Sequence, residues 1–96
     1  MDKQQELLVI TMEECGELIQ ACSKILRSGK AEGKNLKNLQ DEAGDVACML
    51  DIMIRNSLLS EKKLQNRKLV KLGKLAKWSK LLDVEEERSV YSNNKT

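Results

Sequence analysis

The chain has 96 residues, 41% of them apolar and 33% charged, with 17 basic against 15 acidic side chains and a net charge of +2. That balance excludes a second domain of ordinary size, a disordered chain, and a partner chosen by bulk charge alone. With no Pro, no Phe, one Trp and one Tyr, the composition favours helices over a β-sandwich, and with no His it removes imidazole metal sites and Ser-His or Cys-His nucleophiles.

The first predicted helix runs from about Lys3 to Arg27, with Asp2 as its N-cap and Gly29 placed to end it. On a wheel of about 100° per residue, Leu7, Ile10, Thr11, Leu18, Ala21, Cys22 and Ile25 share one arc, and Glu13, Gln20, Lys24 and Arg27 lie opposite. Glu14 falls inside the apolar arc and Glu17 at its edge. Residues three apart are neighbours on a helix, so these two carboxylates point the same way. The segment Ser28 to Asn35, with two glycines, reads as a polar loop.

The second predicted helix runs from about Leu36 to Ser57, capped by Asn35. Its apolar arc is Leu39, Val46, Met49, Leu50 and Met53, with Lys37, Asp41, Asp51 and Arg55 facing away. Glu42 falls inside that arc and Asp45 at its edge, so the second helix repeats the acidic pair of the first at the same offset. Unpartnered buried carboxylates cost on the order of several kcal/mol each. No Lys or Arg sits on either arc to neutralise them, and a divalent cation is the simplest resolution. Without histidine the ligands are mainly carboxylate oxygens, which suit a hard ion such as Mg²⁺, Mn²⁺ or Ca²⁺. Gly16 and Gly44, each one residue before an acid of the set, are explained by a close approach of backbone or ligand there.

Ser60 is placed to cap a third helix from about Glu61 to Leu82. It is strongly basic but lacks interleaved aromatics, so nucleic acid is not its expected partner. Trp78, spaced with Leu75 and Leu82, suits the core or a dimer interface better than base stacking. From Asp83 the apolar period stops, and the rest reads as a frayed polar tail. Cys15, Cys22 and Cys48 are odd in number and form no CxxC pair. They are expected to be reduced, mostly buried small hydrophobes of a cytoplasmic protein. No apolar run approaches the roughly 20 residues of a membrane span, and Met-Asp-Lys-Gln-Gln-Glu does not open a secretory signal. Three or more helices from so short a chain leave apolar surface over, which a homo-oligomer would cover.

These residues resemble a known family. Glu13-Glu14-Cys15-Gly16-Glu17 matches the EExxE motif, and Glu42-Ala43-Gly44-Asp45 the ExxD motif, of the MazG-type all-α NTP pyrophosphohydrolases. Glu-Leu-Ile follows the first motif and Val-Ala-Cys-Met-Leu the second. The resemblance covers roughly residues 8 to 70 and looks closest to short single-domain forms of bacteria and their phages. It implies a MazG-like helical domain over 1–83, with 84–96 as tail, and an all-α bundle completed as a homodimer or homotetramer. It also implies Mg²⁺, with Mn²⁺ as a substitute, and hydrolysis of a nucleoside triphosphate to the monophosphate and pyrophosphate. Metal binding then falls to Glu14, Glu17, Glu42 and Asp45, the four acids the wheel selects. Glu13 or Glu17 would accept a proton from the attacking water, and Lys62, Asn66 and Arg67 fit a Lys-x-x-x-Asn-Arg stretch used for substrate. The competing expectation is a non-enzymatic helical module that binds nucleotide, nucleic acid or an acidic partner through its basic third helix.

Overall fold

The computed structural model describes residues 1–93. They form four helices and no strand: α1 (Lys3–Ser28), α2 (Gly33–Arg55), α3 (Glu61–Trp78) and α4 (Val84–Asn93). The all-α expectation therefore holds. No helix among the described residues is long and apolar enough to cross a membrane. The chain divides into two compact units, Met1–Leu58 and a second beginning at Leu59.

The first unit is a helical hairpin. Asp2 caps α1 by accepting from the Gln5 N–H at 2.8 Å, and the Gln5 side chain accepts from the Asp2 N–H in return. Gly29 closes α1 at φ 81°, a left-handed conformation that only glycine adopts without strain, and donates its N–H to the Ile25 carbonyl at 2.9 Å. The short link to α2 forces the helices antiparallel, and Lys3, Gln4 and Leu7 line one cleft with Asn56, Ser57 and Leu58. Leu7, Ala21, Met49 and Met53 are buried between the helices. These come from the arcs that periodicity selects, while Lys37, Asp41, Asp51 and Arg55 are exposed as expected.

Three local expectations fail in this unit. The start of α2 lies at Gly33, not Leu36, and Asn35 is not its cap. Instead Asn35 donates its amide to the Ser28 hydroxyl at 2.9 Å, tying the loop across its base. Cys15, Cys22 and Cys48 are exposed, not buried. Two helices share a single seam, and these thiols lie beside it. For the same reason a second apolar stripe of α1 stays open. Leu8, Met12, Cys15 and Ile19 border, with Met53, a groove of about 560 Å³, with Met12 at 73% and Ile19 at 68% exposure.

The second unit packs α3 against α4, with Leu72 and Val84 buried. Ser60 caps α3 through the Lys63 N–H at 3.3 Å. The helix ends at Trp78, four residues short of the expected end, where the backbone turns extended at Ser79. Trp78 is 65% exposed and takes no part in the core of this unit. The frayed tail expected after Asp83 is a helix through Asn93. Asp83 caps it by accepting from the Glu86 N–H at 3.1 Å, and Glu85, Glu86 and Glu87 occupy its first turn, where acids oppose the helix dipole. The reading of Asn94, Lys95 and Thr96 as tail lies outside the described residues.

The close approach invoked for Gly16 and Gly44 is absent within the chain, since a Cβ at either position meets no atom within 4 Å. Gly16→Ala and Gly44→Ala should therefore each stabilise the isolated chain by about 0.5–1 kcal/mol in a urea titration. Destabilisation by either variant would show that something outside the chain does press on that helix.

Candidate metal centre

Antiparallel geometry turns the two acidic pairs toward each other. Glu14 comes beside Asp45 and Glu17 beside Glu42, so both facing pairs have numbers that sum to 59, as do Lys3 and Asn56 at the open end of the hairpin. One carboxylate oxygen from each of Glu14, Glu17, Glu42 and Asp45 lies within 4.8 Å of the other three. Among the described residues this is the one cluster of three or more potential ligand side chains. All four acids singled out in the sequence are thus brought together.

Their environments divide as the wheel predicts. Glu14 and Glu42 are half-buried, while Glu17 and Asp45 are exposed at the edge of the seam. One oxygen of Glu14 and one of Glu42, both Oε2, are removed from solvent without any hydrogen-bond partner. Buried carboxylate oxygens are ordinarily satisfied, so the two orphans are atoms that a cation held by this cluster could satisfy. No lysine or arginine pairs with any of the four within 4 Å among the described residues, where the ion pairs are Lys37–Asp41 and Arg88–Glu85.

The donor set fits a hard divalent cation. Oxygens on opposite sides of an octahedral Mg²⁺ stand about 4.2 Å apart, twice a ~2.1 Å bond, and those around Ca²⁺ somewhat farther. A spread of 4.8 Å closes to either with small side-chain rotations. Four carboxylates carry more negative charge than one such ion cancels, which leaves room for a second ion or for a positively charged surround.

The same crowding raises the pKa of two of the carboxyls. The Glu14 carboxyl sits above its ordinary value, first because it is desolvated and then because Glu17 and Asp45 repel its charge. Glu42 is raised chiefly by the Glu17 carboxyl standing within hydrogen-bonding reach, then by desolvation and by the charges of Glu17, Asp45 and Glu14.

The other sequence candidates lie elsewhere. Glu13 is exposed and outside the cluster, since the next residue along a helix points about 100° away. Lys62, Asn66 and Arg67 are exposed near the start of α3, in the other unit. Comparisons with protein-family models, curated proteins and solved structures return no match for this chain.

A carboxyl whose acidity is lowered by folding binds its proton more tightly in the folded than in the unfolded chain. Its stabilising contribution is complete below the unfolded value of about 4.3 and is lost as pH rises through the raised folded value. The metal-free protein should therefore lose thermal stability from Glu14 and Glu42 as pH climbs out of that window toward neutrality. A divalent cation should restore the loss, and Glu14→Gln should raise the metal-free melting temperature at pH 7 while weakening the gain from metal. Melting curves at several pH values, with chelator or cation, check this; a melting temperature indifferent to cation would remove the cluster as a metal site.

Proposed function

We propose that this chain is a Mg²⁺-dependent nucleoside triphosphate pyrophosphohydrolase of the MazG type, converting a ribo- or deoxyribonucleoside triphosphate to its monophosphate and pyrophosphate. The observation that carries the reading is the convergence of Glu14, Glu17, Glu42 and Asp45 across the hairpin, with two of their oxygens orphaned. Those are the four acids to which the EExxE and ExxD resemblance gives metal binding.

In this reading Glu14 and Glu42, the half-buried pair, anchor the ion from the seam, and Glu17 and Asp45 complete the site from its rim. When bound, Mg²⁺ or Mn²⁺ neutralises triphosphate oxygens and lowers the pKa of a water. The reaction adds one water across a phosphoanhydride, breaking the P–O–P bond, and pyrophosphate leaves with a proton to be taken up. Glu17 faces solvent at the cluster edge, so it is placed to accept the proton of the attacking water. Glu13 lies one turn from it on the outer side of α1, exposed to water approaching from solvent. Lys62 and Arg67 offer charge-assisted hydrogen bonds to phosphate oxygens, and Asn66 a neutral amide.

Oligomerisation belongs to the same proposal. The open stripe of Leu8, Met12, Cys15 and Ile19 is apolar surface that a second copy would cover, giving a homodimer or homotetramer.

A panel of ribo- and deoxyribonucleoside triphosphates with Mg²⁺, scored for monophosphate and pyrophosphate, tests the activity. Glu14→Gln and Asp45→Asn should fold yet lose at least about a hundredfold in turnover, since even residues behind metal ligands cost tenfold to a hundredfold. Release of inorganic phosphate in place of pyrophosphate, or undiminished turnover in both variants, would overturn the assignment.

A further inference from the structure

The second unit holds a charged feature of which the proposed hydrolysis draws on Lys62 and Arg67 alone. α3 carries six lysines and one arginine against a single acid, Glu61, in 18 residues. Among the described residues none of these cations pairs with a carboxylate, although α4 of the same unit opens with Glu85, Glu86 and Glu87. Left unpaired, like charges on one helix repel and destabilise it, so their persistence points to an anionic partner.

Their arrangement is more specific than their number. Lys63, Arg67, Lys71, Lys74 and Trp78 follow at spacings of four, four, three and four, which aligns them as one stripe along the helix. At 1.5 Å per residue the stripe is roughly 22 Å long. The Lys71 ammonium lies 5.3 Å from the centre of the Trp78 ring, and at 65% exposure the ring remains open to solvent. Leu72, buried, lies well round the helix from this row, while the half-buried Leu64 and Leu75 border it, Leu64 seven residues before Lys71 and Leu75 three before Trp78. The indole therefore ends a row of cations, beside the leucines of α3 but open to solvent.

Three kinds of polyanion could meet such a row, and they ask for different things. A bare polyphosphate needs only the cations. An anionic lipid surface needs a continuous free apolar face, and Leu64, Leu69, Leu72 and Leu75 of α3 are buried or half-buried within the fold, which leaves Val70 and Trp78 as its separate exposed large apolar side chains. A single nucleic-acid strand needs cations for its phosphates and an open aromatic ring for a base, which is what this stripe offers. We propose that the Lys63–Trp78 stripe of α3 binds single-stranded nucleic acid, with phosphates along Lys63, Arg67, Lys71 and Lys74 and a base stacked on Trp78. The proposal rests on α3 alone and shares only Arg67 with the proposed hydrolysis, so tests at Lys71, Lys74 and Trp78 stand or fall separately from turnover at the four acids.

Trp78 is the one tryptophan of the chain, so its emission reports on this stripe. The full chain, in chelator to suppress turnover, is titrated with an oligothymidylate of about 20 nucleotides, longer than the ~4–16 nucleotides such surfaces cover. The expected result is quenching of emission, with affinity falling with salt at a log–log slope of roughly −3, about −0.7 for each of four phosphates. Lys71→Ala with Lys74→Ala should flatten that slope by about 1.4. Trp78→Leu should weaken binding roughly tenfold, read by anisotropy of a labelled strand. All three side chains are exposed, so the fold should be retained, as circular dichroism will register.

Several results would overturn the proposal: no response to the oligonucleotide; equal quenching and affinity with inorganic polyphosphate; binding as tight to duplex DNA; or a blue shift confined to phosphatidylserine vesicles. The last would assign the stripe to a lipid surface.

Discussion

Four carboxylates facing one another across a helical hairpin are the constraint on which the rest of the first unit depends. Each is negative at neutral pH in water, and the fold holds one oxygen from each within 4.8 Å of the others. Two are partly withdrawn from solvent, where their repulsion is least screened. Nothing in the hairpin offsets this with a positive side chain. The metal-free structure stays together because the seam on either side is apolar, from Leu7 and Met53 near the open end to Ala21 near the loop, and because both ends of α1 are firmly capped. A cation would turn the same cluster from the weakest part of the seam into a cross-link between the helices.

The two units divide the charge of the chain in opposite senses. The hairpin concentrates negative charge in a few half-buried positions, where geometry is fixed by two rods in contact. The α3–α4 unit spreads positive charge along an exposed face, where geometry is set by a single helix. The first arrangement suits a compact ion that needs several oxygens at defined distances, the second an extended anion that needs repeated cations at a spacing. The near-zero net charge of the whole conceals both.

Much of this was legible residue by residue. Asp2, Gly29 and Ser60 announce helix ends because capping is local chemistry, decided within three or four residues of the cap. The four acids were legible because a helix has a fixed period, so a carboxylate within an apolar arc betrays itself in any fold that buries the arc. α4 was legible too. Asp83 followed by Glu85, Glu86 and Glu87 is a helix start by both capping and dipole, but an arc of apolar residues is too sparse there for periodicity to register it. Asn35 was misread as a cap because Asn suits that position locally, while its contact with Ser28 spans the whole interhelical link.

The sequence by itself determined the helices, most of their caps, and which carboxylates share a face, because these depend on bond geometry and on neighbours a turn or less away. Only the tertiary structure decided that the two acidic pairs meet, since the hairpin's register sets which residue faces which. It alone also decided that the cysteines and Trp78 lie in the open: a two-helix seam is too narrow to bury every apolar position, and which ones it omits depends on how the helices are turned toward each other.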